Sequence, residues 1–386
     1  MIKFLITYFF LLTPIIIISN SSFAFGKYLF LILSIIFLLK NGLNKTNLKN
    51  LIPCFILFVF SLLNYMFFGF DDNFLLLKSI NVILLLFASA QIVSLHNYNK
   101  EKLFSSIFHV FIINGILAFI MLNPFFYDFI SNYFYLNINI NLKEEMSLFR
   151  PFGITSSGGA TLSISYAFFA YLIIKDSIKA KKNITNRDYF RVIFILLFSL
   201  FFARTGIVLF ILLISINLKN LFKLIKFITV FCLLYFFGYW LYISFPPENQ
   251  LHDFLISRAF EPLINYNNYG IFATSSSKKL TEMFFIPETN FLYGNGIFSR
   301  SNVKNILVSD PGFIRLYYGS GILGLLVISL ASFYFFSKSF DDAKKKYLIA
   351  LILVLLSTKE YLFIGISVFT QLIFLNFPSN YERRNI

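Results

Sequence analysis

Charged residues are scarce in this sequence: they make up 13% of its 386 residues, whereas hydrophobic residues make up 58%. A soluble domain of this size carries about twice that charged fraction. Apolar runs of roughly 15 to 25 residues follow one another along the chain, and runs of that length are typical of membrane-spanning helices. The shortage of charge therefore excludes a set of soluble domains and indicates a polytopic membrane protein.

Several kinds of chemical signature are also missing. The two cysteines, Cys54 and Cys232, both lie inside apolar runs, so no disulfide is predicted. The sequence contains no Walker motif, no HExxH, no zinc-type Cys/His spacing and no nucleophile elbow. Asp71 and Asp72 have no matching acidic partner for a cation. We therefore predict neither a bound metal nor a cofactor.

The apolar runs predict an all-α fold, a polytopic transmembrane helical bundle that forms one integral membrane domain over residues 1–386. Two pairs of runs have minimal connectors, so the expected number of about 12 spans has ten or eleven as its alternatives. The predicted spans are 2–19, 26–40, 51–69, 74–95, 103–123, 157–175, 189–203, 206–218, 221–244, 312–336, 345–357 and 360–377.

Basic residues are unevenly shared between alternate connectors. One set of connectors, with both ends of the chain, holds 21 of the 33 lysines and arginines. The positive-inside rule places that side in the cytoplasm. Both termini are then cytoplasmic, 124–156 forms a smaller periplasmic loop, and 245–311 forms one large extracytoplasmic (periplasmic) loop. This rule also accounts for the net charge of +15, so nucleic acid is not predicted as a partner.

Arginine is prominent near the membrane on the outward side, where positive charge is disfavoured. Its planar guanidinium group offers paired donors suited to phosphate or carboxylate. Arg204 is the sharpest case, because it lies in Ala203-Arg204-Thr205-Gly206 between two apolar spans. We predict an anion-binding role there; the alternative is an arginine that snorkels outward from a helix end.

Three further clusters carry candidate residues. Arg150 opens a Gly/Ser-rich stretch that ends at Gly159, and such a stretch before a helix presents backbone N–H groups to an anion or simply caps the helix. Gly294-Asn295-Gly296 is chiefly a turn signal, and Arg300 follows it. Asp310 begins the motif that runs to Gly324, either as a helix cap or as a functional carboxylate.

The remaining candidates are weaker. Arg315 lies more than one turn into the helix that Asp310 opens, while Arg258, His252 and Glu288 lie in the large loop. Solvent exposure is the alternative reading of His252, and no spacing singles out Glu288 among the acidic residues of the loop. We expect these four residues and Arg300 to contribute to substrate binding.

Together these clusters resemble the O-antigen and capsular polysaccharide polymerase family (Wzy-like), which is related to the O-antigen ligases. The resemblance covers the span architecture and roughly residues 145–330. It rests on Arg150 to Gly159, on Ala203 to Gly206, on Gly-Asn-Gly late in one large outward loop, and on Asp-x-Gly-Phe-Ile-x-Leu-x-x-x-x-Gly-Ile-x-Gly after that loop. Each motif is short and loose, so their order and sidedness carry most of the likeness.

The resemblance implies a glycosyltransferase that joins oligosaccharide repeat units carried on undecaprenyl diphosphate into O-antigen (lipopolysaccharide) or capsule polysaccharide. It also implies action at the outer face of the bacterial inner membrane, contact with membrane lipid, and a chain-length regulator and a flippase as partners. Ligases of this type typically have a His-Asn pair where this chain has Ser309-Asp310, which favours a polymerase. An O-antigen ligase and a lipid-linked oligosaccharide flippase (a transporter) are the alternatives.

The chemistry fits this expectation. Glycosyl transfer from a lipid diphosphate needs stabilisation of a departing phosphate anion, and arginine supplies that without a metal. We expect Arg204 and Arg150, with Arg300 or Arg315, to hold the diphosphate, and Asp310 to deprotonate the acceptor hydroxyl. These are the predicted catalytic residues, Arg204, Asp310 and Arg150, of a metal-independent enzyme.

Overall fold

The computed structural model describes residues 2–18, 21–23, 25–42, 45–68, 73–121, 123–135, 159–181, 186–203, 205–217, 221–246, 250–272, 286–298 and 312–337. The helices are α1 (Ile2–Leu12), α2 (Phe25–Asn41), α3 (Lys45–Phe67), α4 (Phe74–Leu95), α5 (Lys100–Ile120), α6 (Pro124–Ser131), α7 (Gly159–Lys181), α8 (Asn186–Phe202), α9 (Thr205–Asn217), α10 (Leu221–Ser244), α11 (Gln250–Tyr269) and α12 (Gly312–Ser337). The strands are β1 (Ile15–Ile18), β2 (Ser21–Phe23) and β3 (Phe134–Tyr135).

Four helices of the described residues are long and apolar enough to cross a bilayer, over Leu48–Phe67, Phe74–Leu95, Glu101–Ile120 and Phe313–Phe335. Shorter apolar helices accompany them, among them Thr161–Lys175 and Thr205–Ser215. The described chain is thus mostly helical and fits an all-α membrane protein, as predicted. It does not reach twelve helices of spanning length, and the predicted spans 345–357 and 360–377 lie outside the described residues.

The prediction of one continuous span over 2–19 is wrong. Helix α1 ends at Leu12, Thr13 has a positive φ of 44°, and Ile15–Ile18 form strand β1. Pro14 explains the end of the helix, because proline lacks the N–H that a helix interior needs and disfavours helical geometry in the residue before it. The four β-branched isoleucines that follow suit a strand.

Part of each predicted outward loop has regular structure. The smaller loop begins with α6 and β3, and the large loop contains α11. The strands form a three-stranded sheet in the order β2-β1-β3, with Ile15 opposite Tyr135 in the antiparallel β1–β3 pair. The described chain is therefore mainly helical, as predicted, but it also contains this small sheet, which the all-α prediction did not include.

The chain divides into two compact units: one comprises 1–14, 23–110 and 282–386, the other 15–22 and 111–281. In the first unit α4 packs against α2 and α3, and α3 packs against α12. Every side chain from Leu85 to Val93 of α4 is buried, as expected for a helix that is covered on all sides. The prediction of a single domain over 1–386 stays a prediction.

A polar contact joins α1 to the end of α4 in this unit. The Nε2 atom of His96 lies 3.2 Å from the hydroxyl of Thr7, which donates to the carbonyl of Lys3 at 2.8 Å. Burial lowers the pKa of His96 below its ordinary value, and the nearby charge of Lys3 lowers it further. Both effects favour the neutral form of the imidazole beside the first helix.

In the second unit α7 packs against α8 and α9. Each side chain described between Thr161 and Ile174 is buried, so α7 is the central helix of this unit. The ring of Tyr166 stacks on Phe111 with centroids 4.2 Å apart, and its hydroxyl donates to the Phe111 carbonyl at 2.7 Å. The ring of Tyr166 also makes an edge-on contact with Phe202 at the end of α8, with centroids 5.1 Å apart. These contacts fix the junction between α8 and α9.

Candidate functional site

The structure describes half of the predicted site residues. Arg150, Arg204, Arg300 and Asp310 lie outside the described residues. His252 and Arg258 both belong to helix α11, which occupies part of the predicted large loop. Glu288 is exposed on the segment 286–298, and Arg315 is partly buried in α12. The roles predicted for these eight residues stay predictions, and the described surroundings of two of their motifs are informative.

The turn between α8 and α9 is held by one serine of α7. Ser163 Oγ donates to the carbonyl of Ala203 at 2.5 Å and accepts a hydrogen bond from the N–H of Gly206 at 2.9 Å. Ala203 and Gly206 flank Arg204 and Thr205 in the sequence motif. A single hydroxyl thus bonds to the end of α8 and to the start of α9, where helices leave backbone groups without intrahelical partners.

A second serine supports the first. Ser199 Oγ of α8 donates to the backbone carbonyl of Ser163 at 3.0 Å, and the two hydroxyl oxygens are also 3.0 Å apart. Both serines are 0% exposed. A Cβ added at Gly206 would overlap the Ser163 carbonyl oxygen and both hydroxyl oxygens. Only glycine therefore allows the backbone at 206 to approach the two serines this closely. We call this group of Ser163, Ser199, Ala203 and Gly206 the serine bracket.

Thr205 adds a buried polar atom beside the bracket. Its Oγ1 atom is buried and has no hydrogen-bond partner among the described residues. Thr205 is also the first residue of the 13-residue helix α9. The N-terminus of a helix carries a partial positive charge from its peptide dipoles. The residue that follows Arg204 in the sequence therefore combines a buried hydroxyl with a helix end that is favourable to an anion.

In the first unit, helix α12 is interrupted. Gly321 has φ 61° and ψ −165°, values that are non-helical and accessible essentially to glycine alone. The break leaves peptide groups on both sides without partners from their own helix. These groups bond instead to the segment 286–298, which we call the docked segment.

Four backbone hydrogen bonds join the docked segment to the break. The N–H groups of Asn295 and Gly296 donate to the carbonyls of Tyr318 and Gly319 at 2.7 and 2.8 Å. In the opposite direction, α12 donates from Ile322 to Phe291 at 2.9 Å and from Leu323 to Leu292 at 3.3 Å. The Gly-Asn-Gly motif of the large loop and the Gly-Ser-Gly of α12 are therefore direct neighbours.

Side chains reinforce the docking. Thr289 Oγ1 donates to the Tyr318 carbonyl at 3.2 Å, and Asn64 Nδ2 of α3 donates to the Tyr293 carbonyl at 3.4 Å. The ring of Tyr293 stacks on Phe67, and the ring of Phe298 stacks on Phe74. The docked segment is thus tied to α3, α4 and α12, and the Gly-Asn-Gly motif and the motif that ends at Gly324 form one structural element.

Sequence reasoning missed the residues that hold both elements. Ser163 lies in the middle of an apolar run and belongs to no motif, so no local pattern distinguishes it from Ser165 two positions later. Asn295 was recognised only as a turn residue, whereas its N–H donates to the Tyr318 carbonyl at the break in α12. The two glycines of Gly319-Ser320-Gly321 were the available signal for that break, because glycine inside a helix is costly without a special purpose.

Among the described residues there is no group of three or more His, Cys, Asp and Glu side chains that could hold a metal ion. The chemistry offered by the two described elements is that of hydroxyls, backbone amides and helix ends, with arginines at neighbouring sequence positions.

Comparison with known proteins identifies no relative: no protein-family model, no curated protein and no solved structure matches the chain. The resemblance to the polymerase family therefore depends on the short motifs and on their order in the sequence.

Proposed function

We propose that this protein is a membrane glycosyltransferase that polymerises undecaprenyl-diphosphate-linked oligosaccharide repeat units into O-antigen or capsule polysaccharide. The observation that carries the proposal is the docking of the Gly-Asn-Gly segment on the interrupted helix α12. It supports the proposal because two motifs of the family resemblance, separated in the sequence, meet as one built element.

The diphosphate of the growing chain is assigned to Arg204 and Arg150. Arg204 lies between two residues of the serine bracket and directly before Thr205, whose buried hydroxyl has no partner among the described residues. A guanidinium group gives two parallel donors to phosphate oxygens, and the adjacent N-terminus of α9 favours negative charge. Arg150 precedes the stretch that leads into α7, the helix that carries Ser163.

The proposed reaction is a displacement at the anomeric carbon of the donor glycan. A hydroxyl oxygen of the acceptor sugar forms the new glycosidic bond, and its proton passes to the carboxylate of Asp310. The bond from the anomeric carbon to the diphosphate oxygen breaks, and the electron pair leaves with the diphosphate, where arginine stabilises the charge. Arg300, Arg315, Arg258, His252 and Glu288 are proposed to bind the glycans and the second phosphate-bearing lipid.

The orientation is part of the proposal. The chain would cross the inner membrane about twelve times with both termini in the cytoplasm, and 124–156 and 245–311 would lie in the periplasm. Reporter fusions at about residue 185 and about residue 275 test it. We expect a cytoplasmic signal from the first and a periplasmic signal from the second; equal signals from both would reject this arrangement.

The function itself is tested by electrophoresis of surface polysaccharide from a deletion strain. We expect surface lipid capped with a single repeat unit in the deletion strain, and restored long chains when the wild-type chain is supplied from a plasmid. Loss of all surface O-chain would contradict the proposal and would instead indicate a ligase or a flippase. A flippase has little need for a large outward loop whose end is fixed in a helix break, which is why the polymerase is preferred here.

Partners follow from the same proposal. A polymerase that acts on lipid-linked repeat units requires a flippase to deliver them and works with a chain-length regulator, as the family resemblance implies. No contact with nucleic acid is proposed, because the basic residues are accounted for by membrane orientation.

A further inference from the structure

We infer that Ser163 is a positioning residue for Arg204, holding the α8–α9 turn so that the guanidinium group meets the diphosphate. This inference rests on the proposed function of Arg204. Ser163 itself lies outside all of the family motifs, and its two backbone partners, Ala203 and Gly206, belong to one of them.

The geometry limits what else Ser163 could do. Its one hydroxyl proton goes to the Ala203 carbonyl, and a lone pair accepts the N–H of Gly206. The side chain is 0% exposed, so it cannot itself meet a substrate. Both of its partners in the turn are backbone groups, one residue before and two residues after Arg204. The hydroxyl therefore fixes the backbone at Ala203 and at Gly206, the described residues on either side of Arg204 and Thr205 in the sequence.

The support behind Ser163 is a buried helix. Its own backbone carbonyl accepts from Ser199 Oγ, and α7 is buried on all described sides from 161 to 174. Ala203 and Gly206 are thus hydrogen-bonded to a helix whose side chains from 161 to 174 are all buried. A transition-state contact depends steeply on position, and a misplacement of about 1 Å can lower a rate by roughly two orders of magnitude.

The same helix offers a matched control. Ser165 is 1% exposed, and its hydroxyl donates to the carbonyl of Thr161 within α7 at 3.0 Å. Ser165→Ala removes the same atom from the same buried helix without touching the turn. Any difference between the effects of Ser163→Ala and Ser165→Ala therefore comes from the hydrogen bonds to the turn, because both variants remove one buried hydroxyl from α7.

The experiment has two readouts on the full-length protein. Polymer length is measured in the deletion strain at matched protein abundance, and binding of inorganic pyrophosphate is measured by calorimetry on the purified proteins in detergent. We expect Ser163→Ala to weaken pyrophosphate binding about ten-fold, as loss of an ordinary hydrogen bond would, and to shorten the polymer. Ser165→Ala should match the wild type in both.

Ser163→Cys is the second variant, to be used if Ser163→Ala does not accumulate. Cysteine has a side-chain volume close to that of serine, but its thiol forms only weak hydrogen bonds. We expect the same direction of change. If folded Ser163→Ala or Ser163→Cys binds pyrophosphate as Ser165→Ala does, the positioning role is rejected. If Arg204→Ala itself binds pyrophosphate and makes polymer normally, the proposed function of Arg204 fails, which is a separate outcome.

Discussion

Replacing Arg204 by alanine is expected to remove nearly all long polysaccharide while the protein still accumulates in the membrane. Loss of a preorganised donor to a developing anion typically lowers a rate by about 10² to 10³. Arg204→Lys should fail almost as completely, because lysine keeps the charge but loses the planar pair of donors that matches a phosphate. The readout is the ladder of surface polysaccharide in the deletion strain that carries each variant.

Arg187→Ala is the matched control for Arg204. Arg187 is exposed in the first turn of α8, at the other end of the helix that precedes Arg204. Its removal takes away the same type of side chain 17 positions earlier in the sequence and should leave the ladder unchanged. Long polymer that survives Arg204→Ala at normal protein levels would show that this arginine does not hold the leaving group.

Replacing Gly321 by alanine is expected to detach the docked segment from α12. The added Cβ would lie 2.5 Å from the backbone nitrogen of Tyr293 and closer still to the Leu292 carbonyl. The backbone conformation, with φ 61° and ψ −165°, is itself strained for any residue with a side chain. Strain of this kind together with loss of the hydrogen bonds at the break should cost about 3 kcal/mol or more.

Hydrogen exchange of the purified protein measures this effect directly. We expect the amides of Asn295 and Gly296 to lose protection in Gly321→Ala, and the thermal midpoint in detergent to fall. Gly270→Ala is the control, because Gly270 also has a positive φ (67°) but has nothing within 4 Å of an added Cβ. It should cost only about 1 kcal/mol of backbone strain. Equal effects of the two variants would contradict the docking.

The sequence allowed the apolar helices to be predicted with useful accuracy, because hydrophobicity over some twenty residues reports directly on burial in lipid. The prediction of α4 at 74–95 coincides with Phe74–Leu95. The prediction from hydropathy failed where a local conformational preference outweighs hydrophobicity. This occurs at Pro14, where helix α1 has ended and the apolar run continues as strand β1. A hydropathy pattern has no means of separating buried helix from buried strand over so short a run.

The site was less accessible to sequence reasoning. Ala203 to Gly206 was recognised as a turn, but the serine that holds it comes from a helix about 40 positions earlier, and nothing in the sequence marks that pairing. The same holds for Asn295 and Tyr318, which meet through backbone atoms alone. Contacts made by peptide groups leave no preference for a particular side chain, so only the three-dimensional arrangement reveals them.

The interruption at Gly321 has a consequence for how the protein is made. It divides α12 into halves at 312–320 and 322–337, each shorter than the roughly 20 residues that span a bilayer. The groups that complete the junction come from 289–296, which leave the ribosome before either half does. Insertion into lipid with open carbonyls at the junction is costly. Synthesis from N- to C-terminus thus supplies the docked segment before the two halves of α12 are made.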